Sequence, residues 1–270
     1  MSLILCSKQK VDRPFLVEEL GVKLYSAQEL CYVIRHNPFL LRDGLINERL
    51  VSFLVEDLDM ALLGARVKKG LDSGAGAEDL ALIILGEVQY HTQAELSKFK
   101  EELAGLKRLH PAEYAKQKAD YFCGRRRYGK AIDGYREILD SNRDGYMDNG
   151  FMARIHNNLA TAYVGLFQFQ NAMEEFHSAY ELDRDRKYLK AMYLLSLLEP
   201  SLKMESDLLS SMTNSETEGW KKRLEEWRQE VLLGEPTRQV RESFEKDPIR
   251  CIGTAKEILG QWKAEYRRMV

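Results

Sequence analysis

Apolar residues recur every three or four positions along most of the chain, which is the period of an amphipathic α-helix. A first helix is predicted over residues 25–34 and should end near Asn37, because the residue before a proline avoids the helical conformation. A longer single helix is predicted over residues 45–69. Its apolar stripe consists of Leu50, Leu54, Leu58 and Leu62.

Turn and capping residues mark the next boundaries. Residues 71–77 contain two glycines and are predicted to form a flexible connector. Two helices are expected over residues 78–109, separated where Thr92 and Glu95 have the spacing of a capping box. Pro111 stands where the first residue of a further helix belongs.

The helical pattern continues to the end of the sequence. An apolar helix is predicted over residues 188–198, and Ser215 with Glu218 forms a candidate capping box for a long amphipathic helix. Asp247 and Pro248 have the order of an N-cap and a first helical residue. The last helix carries an apolar stripe with alternating spacings of three and four: Ile252, Ala255, Leu259, Trp262, Tyr266 and Met269. Such a stripe seals the end of a helical stack or pairs with another helix.

No β-structure is predicted. Alternating polar and apolar runs joined by hairpin turns are absent from the sequence. Residues 1–5 alone have a strand-like composition, in a segment too short and isolated to form a sheet. The expected fold class is therefore all-α.

Two segments share one spacing of small and aromatic residues. The same 41-residue offset separates Ala119 from Ala160 and Ala131 from Ala172. Aromatic residues accompany these alanines at matching positions: Phe122, Tyr128, Tyr135, Tyr163, Phe169 and Phe176. A side chain where two helices cross closely must be small, and each hairpin leaves an apolar face that a neighbour covers. The spacing predicts two stacked helical hairpins.

This arrangement resembles the tetratricopeptide repeat, whose unit is a helical hairpin of about 34 residues. The two units would be residues 112–145 and 153–186, and residues 158–163 are the stretch most similar to the family. The sequence also departs from the family pattern. The tryptophan position holds Ala115 in the first unit and His156 in the second, the proline near the end of each unit is missing, and seven extra residues separate the units.

The resemblance implies an all-α array of antiparallel helical hairpins, wound as a right-handed superhelix with flanking helices. The expected organisation is a helical N-terminal region in residues 1–110, a repeat core in residues 111–186, and a helical continuation with capping helices in residues 187–270. It also implies a non-catalytic scaffold or adaptor that holds a protein or peptide partner in its concave groove.

In this family the groove is lined by the first helix of each unit. Carried over position by position, the groove residues of the first unit are Glu113, Lys116, Asp120, Cys123 and Gly124. Those of the second unit are Arg154, Asn157, Asn158, Thr161, Val164 and Gly165.

Some members of the family clamp the C-terminal carboxylate of a partner, and Lys116 and Asn158 fall on two of the clamping positions. Asp120 stands where such clamps carry asparagine and would repel a carboxylate, and Met192 stands where a basic residue is expected. The clamp is incomplete, so another mode of binding a peptide or a folded partner is predicted.

The linker between the units has part of the spacing of an EF-hand calcium loop. Oxygen-bearing side chains stand at its first, third, fifth and ninth positions, with a glycine at the sixth. These residues are Asp140, Asn142, Asp144 and Asp148. The twelfth position holds Phe151 in place of the bidentate glutamate, and Asp, Asn and Gly also form turns and caps. We therefore predict a structured loop, and no metal or cofactor for the protein.

Patterns typical of enzymes are weak. Glu174 and His177 have the Glu-x-x-His spacing of di-iron helical bundles, which require two such motifs. Phosphate-cradling glycine loops and nucleophile elbows are absent from the sequence. The four cysteines form no close pair, which favours reduced thiols and a cytoplasmic protein.

Charge and hydropathy also restrict the class of partner. The formal net charge of −2 gives no overall attraction to nucleic acid or to an acidic membrane, and no apolar run approaches the length of a membrane span. The basic runs at residues 125–127, 221–223 and 267–268 are predicted to be solvated, since a nucleic-acid face would require one concentrated patch.

Two other functions stay open at this point. In a regulatory protein, the helical array would sense a peptide while N-terminal helices contact DNA or an enzyme; residues 20–65, however, lack a clear helix-turn-helix glycine. A helical enzyme would need a deep polar pocket with clustered ionisable groups. The residues leave the partner's identity and the oligomeric state open.

Overall fold

The structure, a computed structural model, describes residues 11–141, 145–246 and 248–270. The chain divides into two compact units, Met1–Leu109 and His110–Val270. The strand-like segment at residues 1–5 lies outside the described residues. The three-part division expected from the sequence stays a prediction.

The first unit opens with a small antiparallel sheet that the sequence did not predict. Its strands are β1 (Phe15–Val17) and β2 (Val22–Leu24), and Gly21 in the turn has a positive φ of 64°. The expectation of a chain without strands was wrong here. Three residues per strand are too few for a recognisable alternation, although in β1 the side chains of Phe15 and Val17 are buried and that of Leu16 is exposed, as a period of two requires.

Among the described residues of the first unit, six helices follow and share one hydrophobic core with this sheet. They are α1 (Ala27–His36), α2 (Phe39–Arg42), α3 (Glu48–Ser52), α4 (Ala61–Asp72), α5 (Ala77–Val88) and α6 (Gln93–Arg108). The helix predicted over residues 25–34 corresponds to α1, which is capped by the Ser26 hydroxyl and ends before Asn37. The predicted break before α6 is confirmed, since Thr92 and Glu95 form both halves of a capping box.

The single helix expected over residues 45–69 is wrong. The segment forms α3, a π-helical turn at Phe53–Asp57 and α4, with a break at Asp59, whose φ is +53°. The break rotates the second helix relative to the first, so the leucine periodicity no longer marks one face. Leu54 is buried, whereas Leu62 is 83% exposed.

The second unit is entirely helical within its described residues. Its helices are α7 (Pro111–Gly124), α8 (Tyr128–Asp140), α9 (Asn149–Gly165), α10 (Phe169–Asp183), α11 (Arg186–Leu198), α12 (Ser206–Ser210), α13 (Asn214–Leu233), α14 (Glu235–Lys246) and α15 (Pro248–Met269). Helix α7 pairs with α8 and α9 with α10, while α8 packs on α9 and α10 on α11. The predicted fold class, all-α with antiparallel helical hairpins and flanking helices, is confirmed.

Two details of the C-terminal helices differ from expectation. The capping box of α13 is formed by Thr213 and Glu216, and not by Ser215 and Glu218. Helices α12 and α14 were not predicted, because α12 is a single turn and α14 is rich in charged residues. Of the helices described, none combines the length and the apolar character needed to cross a membrane.

The small residues of the repeat lie at the helix crossings, as their spacing predicts. Ala119, Ala131, Ala160 and Ala172 are at most 1% exposed. A methyl group added to Gly134 would lie 3.1 Å from the Cβ of Ala119, which shows how closely α7 and α8 approach. Around these crossings the core contains buried rings that recur at equivalent places: Phe122, Tyr135, Tyr163 and Phe176.

The repeat extends to the backbone of the hairpin turns. Arg126 and Phe167, which are separated by the same 41-residue offset, have positive φ values of 59° and 60°. The amide of Arg126 donates to the carbonyl oxygen of Cys123 at 2.9 Å, and that of Phe167 to Val164 at 3.0 Å. Arginine and phenylalanine are not turn-forming residues, so sequence reasoning missed this equivalence.

Two equivalent glycines provide a matched test of this packing. A methyl group at Gly165, the last residue of α9, would overlap the ring of Tyr128 in α8, whereas one at Gly124, the last residue of α7, would meet nothing. We expect Gly165→Ala to lower the free energy of unfolding by about 1–3 kcal/mol through overpacking. Gly124→Ala should be neutral or add up to about 1 kcal/mol, because alanine favours the helix.

Urea unfolding followed by circular dichroism measures both effects on the same scale. Equal free-energy changes for the two substitutions would contradict the packing of α9 against Tyr128.

Candidate functional site

Three helices meet at the carboxylate of Asp120 on α7. It accepts hydrogen bonds from Lys116 Nζ at 2.5 Å, from Tyr135 Oη on α8 at 2.7 Å and from Asn158 Nδ2 on α9 at 2.8 Å. Asn157 Nδ2 donates to Asn158 Oδ1 at 3.1 Å. We call Lys116, Asp120, Tyr135, Asn157 and Asn158 the Asp120 network; it ties the first hairpin to the first helix of the second.

The surroundings of the network disfavour ionisation of the Tyr135 phenol and of the neighbouring Cys123 thiol. Burial, together with the hydrogen bond to Asp120, raises the pKa of the Tyr135 phenol. Burial and the nearby charge of Asp120 also raise the pKa of the Cys123 thiol. A protonated thiol is a poor nucleophile, and the raised pKa keeps the Cys123 thiol protonated near neutral pH.

The structure brings four of the predicted groove residues together, Lys116, Asp120, Asn157 and Asn158, but in a different role from that of a clamp. Lys116 and Asn158 both point their donors at Asp120. A carboxylate placed here would compete with Asp120 and be repelled by its charge. Met192, which stands where a base was expected, is buried in the core.

The remaining groove residues lie on α7 and α9 outside the Asp120 network. Glu113 is half-buried in the first turn of α7. Arg154 is exposed, with its guanidinium 5.6 Å from the ring centroid of Phe151. Thr161 is exposed and donates to the carbonyl oxygen of Asn157 at 2.9 Å. Gly165 does not face a groove, since the direction in which a side chain would point is occupied by the ring of Tyr128.

His156, which stands at the family's tryptophan position in the second unit, makes a polar contact. His156 Nδ1 on α9 lies 2.6 Å from Glu175 Oε2 on α10, and both side chains are mostly buried. A hydrogen-bonded pair therefore holds the second hairpin together where the family uses an indole ring.

Sequence reasoning missed a pocket of about 370 Å³ beside α10. Methionine at helical spacing is the usual signature of a core, so its presence in a pocket wall gave no signal. The imidazole Nε2 of His177 lies 3.9 Å from Glu205 Oε1 on the rim. The pocket is lined by Met173, Glu174, His177, Ser178, Met192, Lys203, Met204, Glu205 and Leu208.

The calcium-loop residues are only partly described. Asp148 is the N-cap of α9, where its carboxylate accepts from the Phe151 amide at 2.6 Å, and Asp140 ends α8. Asn142 and Asp144 lie outside the described residues. Among the residues that the structure does describe, no three His, Cys, Asp or Glu side chains are placed to hold a metal ion. The expectation of a structured loop without a bound metal therefore stays a prediction.

No family model matches the chain, and no curated protein matches it. Among solved structures, the chain is similar to "MamA RS-1 ArsTM double mutant", with 18% identity, a TM-score of 0.31, and coverage of 75% of this chain and 96% of that one. It is also similar to "MamA 41-end from Desulfovibrio magneticus RS-1", with 16% identity, a TM-score of 0.31, and coverage of 76% and 96%.

The Asp120 network predicts a non-additive pair of substitutions. Tyr135→Phe should lower the free energy of unfolding by about 1 kcal/mol, and Asp120→Ala by about 1–3 kcal/mol because it leaves the buried phenol without its acceptor. The double variant should lose less than the sum, since both changes remove one shared hydrogen bond. Additive losses in urea unfolding would mean that the contact contributes nothing.

The pH dependence gives a second measurement on the same variants. The folded-state pKa of Tyr135 lies above the unfolded value of about 10, so its contribution is complete below pH 10 and is lost as pH rises through the folded pKa. When the pH is raised above 10, the free energy of unfolding should therefore fall less for Tyr135→Phe than for the unsubstituted protein.

Proposed function

We propose that this protein is a non-catalytic scaffold or adaptor that binds a protein or peptide partner through tetratricopeptide-type hairpins. One observation carries the proposal: the repeat is present in the small residues at the crossings and again in the left-handed turn residues Arg126 and Phe167. Agreement at both levels indicates modules built to stack. Stacked modules of this kind present the first helix of each hairpin on a continuous face, which serves for recognition.

The proposed recognition face is formed by α7 and α9. The hydrogen bond from Asn158 to Asp120 supports this choice, because it places these first helices side by side. The residues proposed to face the partner are Glu113, Lys116, Asp120, Arg154, Asn157, Asn158 and Thr161. The Asp120 network would fix the geometry, while the exposed Arg154 and Thr161 would supply contacts.

The chemistry of the described residues favours binding over catalysis. The thiol of Cys123 has a raised pKa, and the carboxylate of Asp120 has three hydrogen-bond donors around it. A catalytic nucleophile or base needs the opposite, an activated group with room for a substrate. The thiols of Cys31 and Cys123 are unpaired by disulfides, which suits the reducing cytoplasm proposed for the protein.

Affinity capture from native lysate tests the recognition face. The protein is compared with Arg154→Ala/Thr161→Ala, which removes two exposed groups from α9 outside the Asp120 network. We expect the variant to retain at most about a tenth of a specifically captured partner, the loss produced by removing about 1.4 kcal/mol of binding free energy.

The matched control is Asp133→Ala/Glu137→Ala on α8, which changes two exposed residues of a second helix. Circular dichroism checks that each variant folds. The recognition face is wrong if the two variants capture the same partners equally well, or if the α8 control alone loses them.

A further inference from the structure

The end of α15 lies against the turn between α7 and α8. Arg126 Nη1 contacts Glu265 Oε1 at 2.5 Å, and Arg127 Nη1 donates to the carbonyl oxygen of Arg268 at 3.1 Å. A side chain at Gly129 would collide with the carbonyl group of Val270, so the approach is close. The basic runs at residues 125–127 and 267–268 are therefore brought close together by the fold.

The apolar stripe of α15 is only partly used in this contact. Met269 is buried in the core, whereas Trp262 is 51% exposed. The other large members of the stripe are also substantially exposed: Ile252, Leu259 and Tyr266. The stripe therefore does not seal the helical stack, although one of its residues anchors α15 to it.

An open pocket of about 510 Å³ lies beside this stripe. Phe167, from the turn between α9 and α10, is 70% exposed and forms part of the wall. The name α15 patch is used for the surface formed by the apolar side chains and the neighbouring cations of this pocket: Phe167, Leu259, Trp262, Lys263, Tyr266 and Arg267.

The charge of the α15 patch has one sign. Lys263 and Arg267 are exposed and one helical turn apart, where like charges repel. Among the described residues that line the pocket, Glu265 is the one acid, and it is paired with Arg126. The rim of an apolar, aromatic pocket is thus positive, which favours an anionic partner.

We propose that the α15 patch binds an acidic amphipathic helix of a partner protein. The three-and-four spacing of the stripe suits the side chains of a second helix, whose apolar face would cover Trp262 and Tyr266. Acidic residues beside that face would meet Lys263 and Arg267. A second copy of the patch would bring two positively charged surfaces together, and a bilayer is too flat to enter the pocket between Phe167 and α15. The proposal does not depend on the recognition face of α7 and α9.

The test uses the full chain and two designed, fluorescein-labelled peptides of three heptads. Both have leucine at the two seam positions; one has glutamate at the flanking positions and the other lysine. In fluorescence anisotropy, the acidic peptide should bind at least about tenfold more tightly than the basic one, and raising the salt should weaken it. Trp262→Ala and Lys263→Glu/Arg267→Glu should each weaken binding of the acidic peptide at least about tenfold.

The matched control is Lys98→Glu/Lys107→Glu on α6, which changes the net charge equally at exposed positions and should leave binding unchanged. Three results would overturn the proposal. The first is equal binding of both peptides. The second is self-association in sedimentation that Trp262→Ala abolishes, which would assign the patch to a second copy. The third is Trp262-dependent binding to phosphatidylserine vesicles without binding of the acidic peptide, which would assign it to a membrane surface.

Discussion

The close crossing of paired helices is the constraint on which the second unit depends. The axes of two helices can come this close only where both helices carry small residues at the crossing. The hairpins meet this condition with alanine and glycine. Ala119 faces Gly134 in the first hairpin, and Ala160 and Ala172 are completely buried in the second. Once each pair is closed in this way, its aromatic rings fill the space between neighbouring pairs.

The same packing determines what the polar groups can do. Because α7, α8 and α9 are held close together, Asp120 is within hydrogen-bond distance of Tyr135 and Asn158. The carboxylate accepts hydrogen bonds from both of these residues and from Lys116. Lys116 and Asn158, which fall on clamping positions of the family, are thus hydrogen-bonded to Asp120 within the protein itself.

Local signals predicted most of the helices, because caps, prolines and apolar periodicity act within a few residues. The capping box at Thr92 and the proline at the start of α7 are examples. The break at Asp59, where φ is positive, was missed because leucines recur at helical spacing on both sides of it. The β1–β2 hairpin was missed because its strands are too short to show a period.

The candidate surfaces were less predictable, since they depend on contacts between distant segments. The positions of Lys116 and Asn158 followed from the repeat, but their shared acceptor required the geometry of three helices. Likewise, nothing in the sequence near Arg126 indicates that α15 returns to it.

The most direct measurement of the central constraint is a methyl exchange across the α7–α8 crossing. Ala119→Gly, Gly134→Ala and the double variant are unfolded in urea, and their free energies of unfolding are combined in a double-mutant cycle. If the crossing limits the fold, the double variant will be more stable than the sum of the single changes by at least about 0.5 kcal/mol, because removing one methyl group makes room for the other. Additivity within about 0.3 kcal/mol would show that these residues do not share the crossing and would contradict the account.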